Sequence, residues 1–321
     1  MHRPGSFLST HGLFKESLSH SASLRTLTDA EVKKLQGVML EMLRDIAGVL
    51  DGNGIPFMLG GGTMLGAVRH HGFIPWDDDV DIAVERKYIP RLIRAVEETF
   101  PEKYMVIVPE KTPGYFSSFL KIQKNGTLMR ESLSAPADLS GIKIDVFPVE
   151  NIFDDRARRT LHGLRCDAGL MILSCIRMHE NKTEYLALAE GNRKGRFVIR
   201  LKSFFGGLFA KRADRWFSWT QKVMRGCRDT HSRDVTVPTG REHYFGEIFP
   251  REDYLAFIRM PFEDMMLPVP RNYDAYLTRL FGDYMQLPPE ERREKHIVYE
   301  LSFGDEATES ACGAGREDEG K

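Results

Sequence analysis

Residues 55–59, "IPFML", run directly into Gly60, Gly61 and Gly62, and "DVDIAV" (79–84) follows after one short helix-length segment. The two apolar runs read as strands. The segment 64–71 between them reads as a short helix that Thr63 can cap. A strand that enters a helix through three glycines has two physical uses. Glycine lets an oxyanion approach the main chain, where the first helical amides and the helix dipole favour negative charge. Equally, glycine supplies the φ angles of a tight turn. The triplet alone weighs these two readings alike. Known glycine signatures do not fit. No G-K-[ST] follows, and a G-x-G-x-x-G begun at Gly60 would need glycine where Leu65 stands.

The aspartates after the helix are more specific. Alternate residues of a strand share a face, which predicts Asp77, Asp79 and Asp81 on one side and Val80, Ile82 and Val84 on the other. Three carboxylates on one face raise each other's pKa unless a cation intervenes. A hard cation such as Mg²⁺ takes oxygen ligands and bridges carboxylates to phosphate. A solvated acidic turn accounts for Asp77 and Asp78. It accounts poorly for Asp79 and Asp81, which lie inside an apolar strand pattern. An EF-hand is excluded, because the sixth loop position from Asp77 is Ile82 and the twelfth is Tyr88. "KIDVF" places Asp145 between Ile144 and Val146 in another apolar strand. Alone it reads as a strand-end or salt-bridge residue. Together with Asp79 and Asp81, a metal or general-base role is the better reading. The glycines then hold a phosphate through backbone amides, and the aspartates hold metal against its other side.

Around this core the chain divides simply. Residues 1–25 lack periodicity and read as a flexible segment. A helix begins at Thr28 with the capping box "TDAE", its apolar positions running from Val32 to Leu50, and Gly52 and Gly54 end it. A helix is predicted over 87–99, strands over 104–108 and 141–149, a mainly helical region over 156–235, and mixed structure over 240–303. The polar, glycine-rich tail 304–321 reads as disordered.

These residues carry a resemblance. "LGGGTMLGAVRHHGFIPWDDDVDIAV", "KIDVFPVENI" and "FGDYMQLPPEERREKH" resemble the LicD family, over roughly residues 27–303 in order. The resemblance implies an α+β nucleotidyltransferase-type fold: a mixed sheet with flanking helices and a largely helical C-terminal extension, in one catalytic domain over 26–303. It implies transfer of phosphocholine or a similar phospho-alcohol from a CDP-alcohol to a hydroxyl of a cell-surface glycan, with Mg²⁺ or Mn²⁺ and release of CMP. The acceptor would be lipopolysaccharide, teichoic acid, capsule or a glycolipid. By motif position Asp79 and Asp81 would be metal ligands, Asp145 the third catalytic carboxylate, and Asp77 an additional acidic position. The zinc-binding cysteines of some animal relatives are not apparent.

Other residues have two readings each. Arg69 either holds a donor phosphate with Gly60, Gly61, Gly62 and Thr63 or, with His70 and His71, caps a helix end. Lys121 matches a basic position of the family and is also an ordinary strand lysine. Trp76 suits a quaternary ammonium through a cation–π contact, although a core tryptophan is commoner. Tyr284, Arg292 and His296 become site candidates through the resemblance alone. Residues 193–215 hold eight Lys/Arg and one Asp, with Phe197, Leu201, Phe204 and Leu208 on one helical face. That suits peripheral contact with anionic lipid, while an amphipathic helix facing the core is the commoner case, and Gly206 and Gly207 weaken any helix there.

Composition narrows the partners. The 321 residues are 42% hydrophobic and 28% charged with net charge −1, so no global pull toward nucleic acid is expected. The four cysteines form no C-x-x-C pair, which fits a reducing cytosol. Neither a signal-peptide core nor a run of roughly 18 apolar residues is present. The expected location is cytoplasmic, and contact of 193–215 with the inner membrane face is the less common of the two readings of that segment. Two other functions compete: a nucleotidyltransferase that releases pyrophosphate, and a catalytically silent glycan- or nucleotide-binding module.

Overall fold

The computed structural model describes residues 25–112, 117–131, 136–290, 293 and 297–304. Nearly all of the expected flexible N-terminal segment and disordered tail falls outside them. In chain order the elements are β1 (Arg25–Thr26), α1 (Asp29–Gly52), β2 (Met58–Leu59), α2 (Gly61–His70), β3 (Asp81–Glu85), α3 (Ile89–Thr99), β4 (Tyr104–Ile107), β5 (Leu120–Lys124), β6 (Leu128–Arg130) and β7 (Lys143–Asn151). Four helices follow: α4 (Arg156–Glu180), α5 (Lys182–Leu188), α6 (Arg193–Phe209) and α7 (Ala213–Met224). The chain closes with β8 (Asp234–Thr236), α8 (His243–Gly246), β9 (Ile248–Pro250), α9 (Arg251–Tyr254), β10 (Phe257–Phe262), β11 (Met265–Pro270), α10 (Tyr273–Phe281), β12 (Ile297–Val298) and β13 (Glu300–Ser302). The class is α+β.

The central sheet runs β2-β3-β7-β5-β4. Only β3 and β7 are parallel; the other neighbours are antiparallel, so the sheet is mixed. Beyond its first residues β7 goes on to pair with β8, which pairs with β9. Parallel neighbours need a crossover, and here α3, β4 and β5 occupy the chain between β3 and β7.

Helix α1 starts as its sequence dictates. The Thr28 side chain accepts the Glu31 N–H while the Glu31 carboxylate accepts the Thr28 N–H at 2.9 Å. Leu35, Met39, Met42, Leu43, Ile46 and Leu50 are fully or almost fully buried against the sheet and α3. The apolar face of the helix is thereby removed from water, at roughly 1.5–3 kcal/mol per large side chain. That burial, more than helix propensity, holds the layer together.

The helical region packs differently. It is joined by three small clusters: Ile152, Cys166, Met224 and Tyr244; Leu173, Ile176 and Phe217; and Met178, Ala189 and Ile199. Close helix approach replaces bulk there. A Cβ on Gly206 of α6 would stand 2.0 Å from the Cys175 carbonyl oxygen of α4. Gly206 therefore does more than loosen α6: its missing side chain lets the two backbones meet. Among the described residues no helix is long and apolar enough to cross a membrane.

Candidate active site

Helix α2 begins one residue beyond Gly60, and Thr63 lies inside it rather than capping it. The Gly60 N–H donates to the Asp81 carbonyl at 2.9 Å, and the Thr63 hydroxyl accepts the Asp81 N–H at 2.9 Å. So the glycine corner and the first residue of β3 are tied together on both backbone groups. The correction to Thr63 has a simple cause. The helix takes its first hydrogen bond at Gly60, whose carbonyl accepts the Met64 N–H at 2.9 Å, and Gly61, at a φ of +43°, makes the turn into it two residues before Thr63.

The glycines are needed because carboxylates lie against them. A Cβ on Gly61 would be 2.7 Å from Asp81 Oδ2, and one on Gly62 would be 3.0 Å from Asp77 Oδ2. Not every amide faces outward. Gly60's is used by Asp81, and Gly61's donates to the Tyr276 hydroxyl at 3.1 Å. Those of Gly62 and Thr63 make no hydrogen bond among the described residues, at the positive end of the α2 dipole.

Strand β3 begins only at Asp81; residues 77–80 lead into it without ladder pairing. The alternation in burial nevertheless extends back, with Asp77, Asp79 and Asp81 half-buried and Val80 and Ile82 buried. Asp78 falls on the inner side of this alternation and is 4% exposed, so the solvated-turn reading fails for it. The lead-in loop is held from two sides. Gln36 of α1 donates to the carbonyls of Ile74 and Asp77 at 3.1 and 2.9 Å. Glu263, in the β10–β11 turn, accepts the Phe73 N–H at 2.9 Å.

Asp81 and Asp145 are register partners across β3 and β7, and Lys121 of β5 is the register partner of Asp145 on its other side. Paired residues send their side chains to the same face, which makes one row of Asp81, Asp145 and Lys121. Lys121 Nζ lies 4.0 Å from Asp145 Oδ1. Burial, then the neighbouring Lys143 charge, pulls the Lys121 pKa down, and Asp145 partly opposes them. Lys143, two residues before Asp145 on the same face, pairs with Glu131 at 2.6 Å. Burial works against its charge, yet Glu131, Asp145 and Asp79 together hold its pKa above the ordinary lysine value. Asp79 is thus within electrostatic reach of this row.

The remaining candidates sit around the rim. Arg69 feels the Asp77 charge, donates to the Tyr284 carbonyl at 2.7 Å and lies 3.0 Å from His70 Nε2. Tyr284 is 9% exposed and its hydroxyl donates to Asp274, a packing arrangement. Trp76 packs partly on the core, edge-on to His70, and the Arg293 guanidinium covers its ring at 4.3 Å. Arg292 and His296 lie outside the described residues. Sequence reasoning passed over Tyr276 and Lys143. The second had a signal, its i, i−2 spacing from Asp145; the first had none.

The donor set of Asp77, Asp79, Asp81 and Asp145 is carboxylate only, the chemistry that Mg²⁺ accepts. Among the described residues no three His, Cys, Asp or Glu groups are close enough to enclose an ion.

Residues 54–157 match the family described as "LicD/FKTN/FKRP, nucleotidyltransferase domain", a span containing the glycine corner and all four aspartates. The Haemophilus influenzae "Lipopolysaccharide cholinephosphotransferase LicD" is 26% identical over 282 residues, 84% of this chain and 97% of that protein. The human "Ribitol 5-phosphate transferase FKRP" is 48% identical over 44 residues, 14% of this chain and 9% of that protein. A Rickettsia prowazekii protein, RP689, is 40% identical over 73 residues, 21% of this chain and 27% of its own length.

Proposed function

Since the chain belongs to the LicD family, we propose that it moves phosphocholine, or a similar phospho-alcohol, from a CDP-alcohol to a glycan hydroxyl and releases CMP. The observation that carries this reading is the row of Asp81 and Asp145 on adjacent parallel strands, set against the glycine start of α2. A phosphotransferase needs carboxylates and anion-binding amides within one substrate's reach, and this arrangement supplies both. The relatives' names support the coarse chemistry, since one is a cholinephosphotransferase and another a ribitol 5-phosphate transferase.

In this reading Asp79 and Asp81, helped by Asp77, hold Mg²⁺ or Mn²⁺, which when bound would neutralise the donor diphosphate and stabilise the leaving CMP. The amides of Gly62 and Thr63 orient a phosphate at the α2 N-terminus. Gly60 and Gly61 serve by conformation, keeping the corner open beside Asp81. Asp145 accepts the proton of the attacking hydroxyl, helps hold the metal, or does both. Lys121 and Lys143 balance the acidic row, so that it accepts an anionic donor without expelling it. Arg69 adds positive charge on the Asp77 side.

The test is a screen of CDP-choline, CDP-ethanolamine, CDP-glycerol and CDP-ribitol with Mg²⁺ or Mn²⁺, with and without lipopolysaccharide, teichoic acid, capsule or glycolipid acceptors. Acceptor-dependent CMP release is the expected result. Pyrophosphate released from CTP would instead indicate a nucleotidyltransferase. Donor binding without turnover under any of these conditions would indicate a silent module.

A further inference from the structure

We propose that the outward face of α6, with the adjoining aromatic residues of α7, docks this protein on an anionic lipid surface. An amphipathic helix normally buries its apolar stripe. Helix α6 does the reverse. Its inward face consists of Gly195, Val198, Ile199, Lys202, Ser203 and Gly206. Phe197, Leu201, Phe204 and Leu208, the i, i+4, i+7, i+11 stripe, point to solvent with 60%, 36%, 67% and 65% of their surface exposed. A contiguous apolar patch of this kind on a protein surface marks an interaction site.

The charges identify the occupant. Arg193, Lys194 and Arg200 border the stripe and are exposed, as are Lys211 and Arg212 beyond it. No Asp or Glu occurs from 193 to 213. A second copy docking through this face would set one uncompensated basic border against another, because a two-fold interface matches like with like. An anionic bilayer removes the conflict. Its headgroups meet the guanidinium and ammonium groups, while Phe and Leu side chains enter the acyl boundary. An aromatic ladder continues the face. Phe209 packs edge-on to Trp216 at 5.3 Å, and Trp216 edge-on to the exposed Trp219 at 5.7 Å. Tryptophan suits the boundary between water and hydrocarbon.

The placement is independent of which group is transferred. Helix α6 rests on α4 through Gly206 and Cys175, and α4 carries Arg177, whose charge is felt by Lys121 in the carboxylate row.

Flotation of the full chain with vesicles of phosphatidylcholine alone, or of phosphatidylcholine with phosphatidylglycerol, tests this. The expected result is binding to the anionic vesicles only, weakening as salt rises. Phe204→Ser or Phe197→Ser should lower the partition coefficient about tenfold or more. Arg193→Gln and Arg200→Gln should each lower it about fivefold. All four side chains point away from the α4 contact, so thermal melts should match wild type, and the arginine variants serve if a serine variant melts early. Absence of binding to anionic vesicles at low salt, equal binding to both kinds of vesicle, or unchanged binding in every variant overturns the proposal. So does a dimer, seen by ultracentrifugation in the absence of vesicle binding, that the same substitutions dissociate.

Discussion

Asp81 and Asp145 face the same side of the sheet as direct partners in the one parallel pairing of its main path, with the Asp145 N–H donating to the Val80 carbonyl at 2.8 Å. Two carboxylates held side by side repel each other in the absence of a cation. The first prediction is therefore a separation of activity from stability. Asp81→Asn and Asp79→Asn should each abolish CMP release while leaving the metal-free melting temperature unchanged or higher. Mg²⁺ should raise the wild-type melting temperature and leave that of Asp81→Asn where it was. Wild-type turnover in either variant, or in wild type treated with EDTA, defeats the assignment.

Asp145 divides two roles. A general base contributes roughly 10²–10⁴-fold to the rate without holding the donor. Asp145→Asn that binds CDP-alcohol and Mg²⁺ as wild type does, yet transfers that much more slowly, identifies the base. Affinity that falls together with rate identifies a ligand. Calorimetric titration of both components distinguishes them, and full activity in the variant returns Asp145 to a structural role.

Gly61→Ala should cost activity out of proportion to stability. At φ +43° an alanine is strained by about 1 kcal/mol. Its methyl would also fall 2.7 Å from Asp81 Oδ2. The end of a side chain moves more easily than backbone, so the Asp81 carboxylate swings away and loses its place in the row. A melting temperature lowered by a few degrees with near-complete loss of transfer is expected. Parallel loss of both would show that the corner as a whole had collapsed.

Much of this site was legible because strand periodicity is rigid. "DVDIAV" and "KIDVF" each announce an aspartate in an apolar strand, and the α1 capping box fixed that helix to its first residue. The same alternation, extended back by one position, would have placed Asp78 on the buried side, where it lies. Tyr276 was not legible. Its hydroxyl meets Gly61 across 215 sequence positions, and only the packing of α10 beside α2 brings them together. Nor does helical periodicity say which way a stripe faces. It put Phe197, Leu201, Phe204 and Leu208 in line, but their exposure follows from the opposite face, where Gly206 lets α6 seat on α4.

Gly206→Ala examines that seating. The new methyl would fall 2.0 Å from the Cys175 carbonyl oxygen and 2.8 Å from His179 Cβ, and backbone atoms there cannot rotate aside. Overpacking of this kind costs about 1–3 kcal/mol, well above the helix-propensity gain of roughly 1 kcal/mol from replacing glycine. The variant should be less stable in urea than wild type, and Gly37→Ala, in open space on α1, should be unchanged or more stable. A stabilised Gly206→Ala would mean that α6 and α4 do not touch there.

Glu247 sets the last prediction, a dependence of stability on pH. It is 1% exposed at the end of α8, and its carboxylate accepts the Glu242 N–H at 3.0 Å. Burial raises its pKa from 4.5 to about 7; the nearby Glu242 charge adds to the rise, and Arg241 and the backbone N–H groups oppose it. The folded protein therefore holds this proton more tightly than the unfolded chain does. Its contribution is fully present below the unfolded pKa and is lost as pH rises through the folded one, so the window lies between about 4.5 and about 7. The loss across that window is up to about 3 kcal/mol. Glu247→Gln, neutral at every pH, should flatten this part of the profile. Urea denaturation of both proteins at several pH values inside the window measures the difference. The difference in unfolding free energy, variant minus wild type, should grow as pH rises through the window. A difference that stays constant with pH would mean that Glu247 is ionised in the folded state and has its charge satisfied by its neighbours.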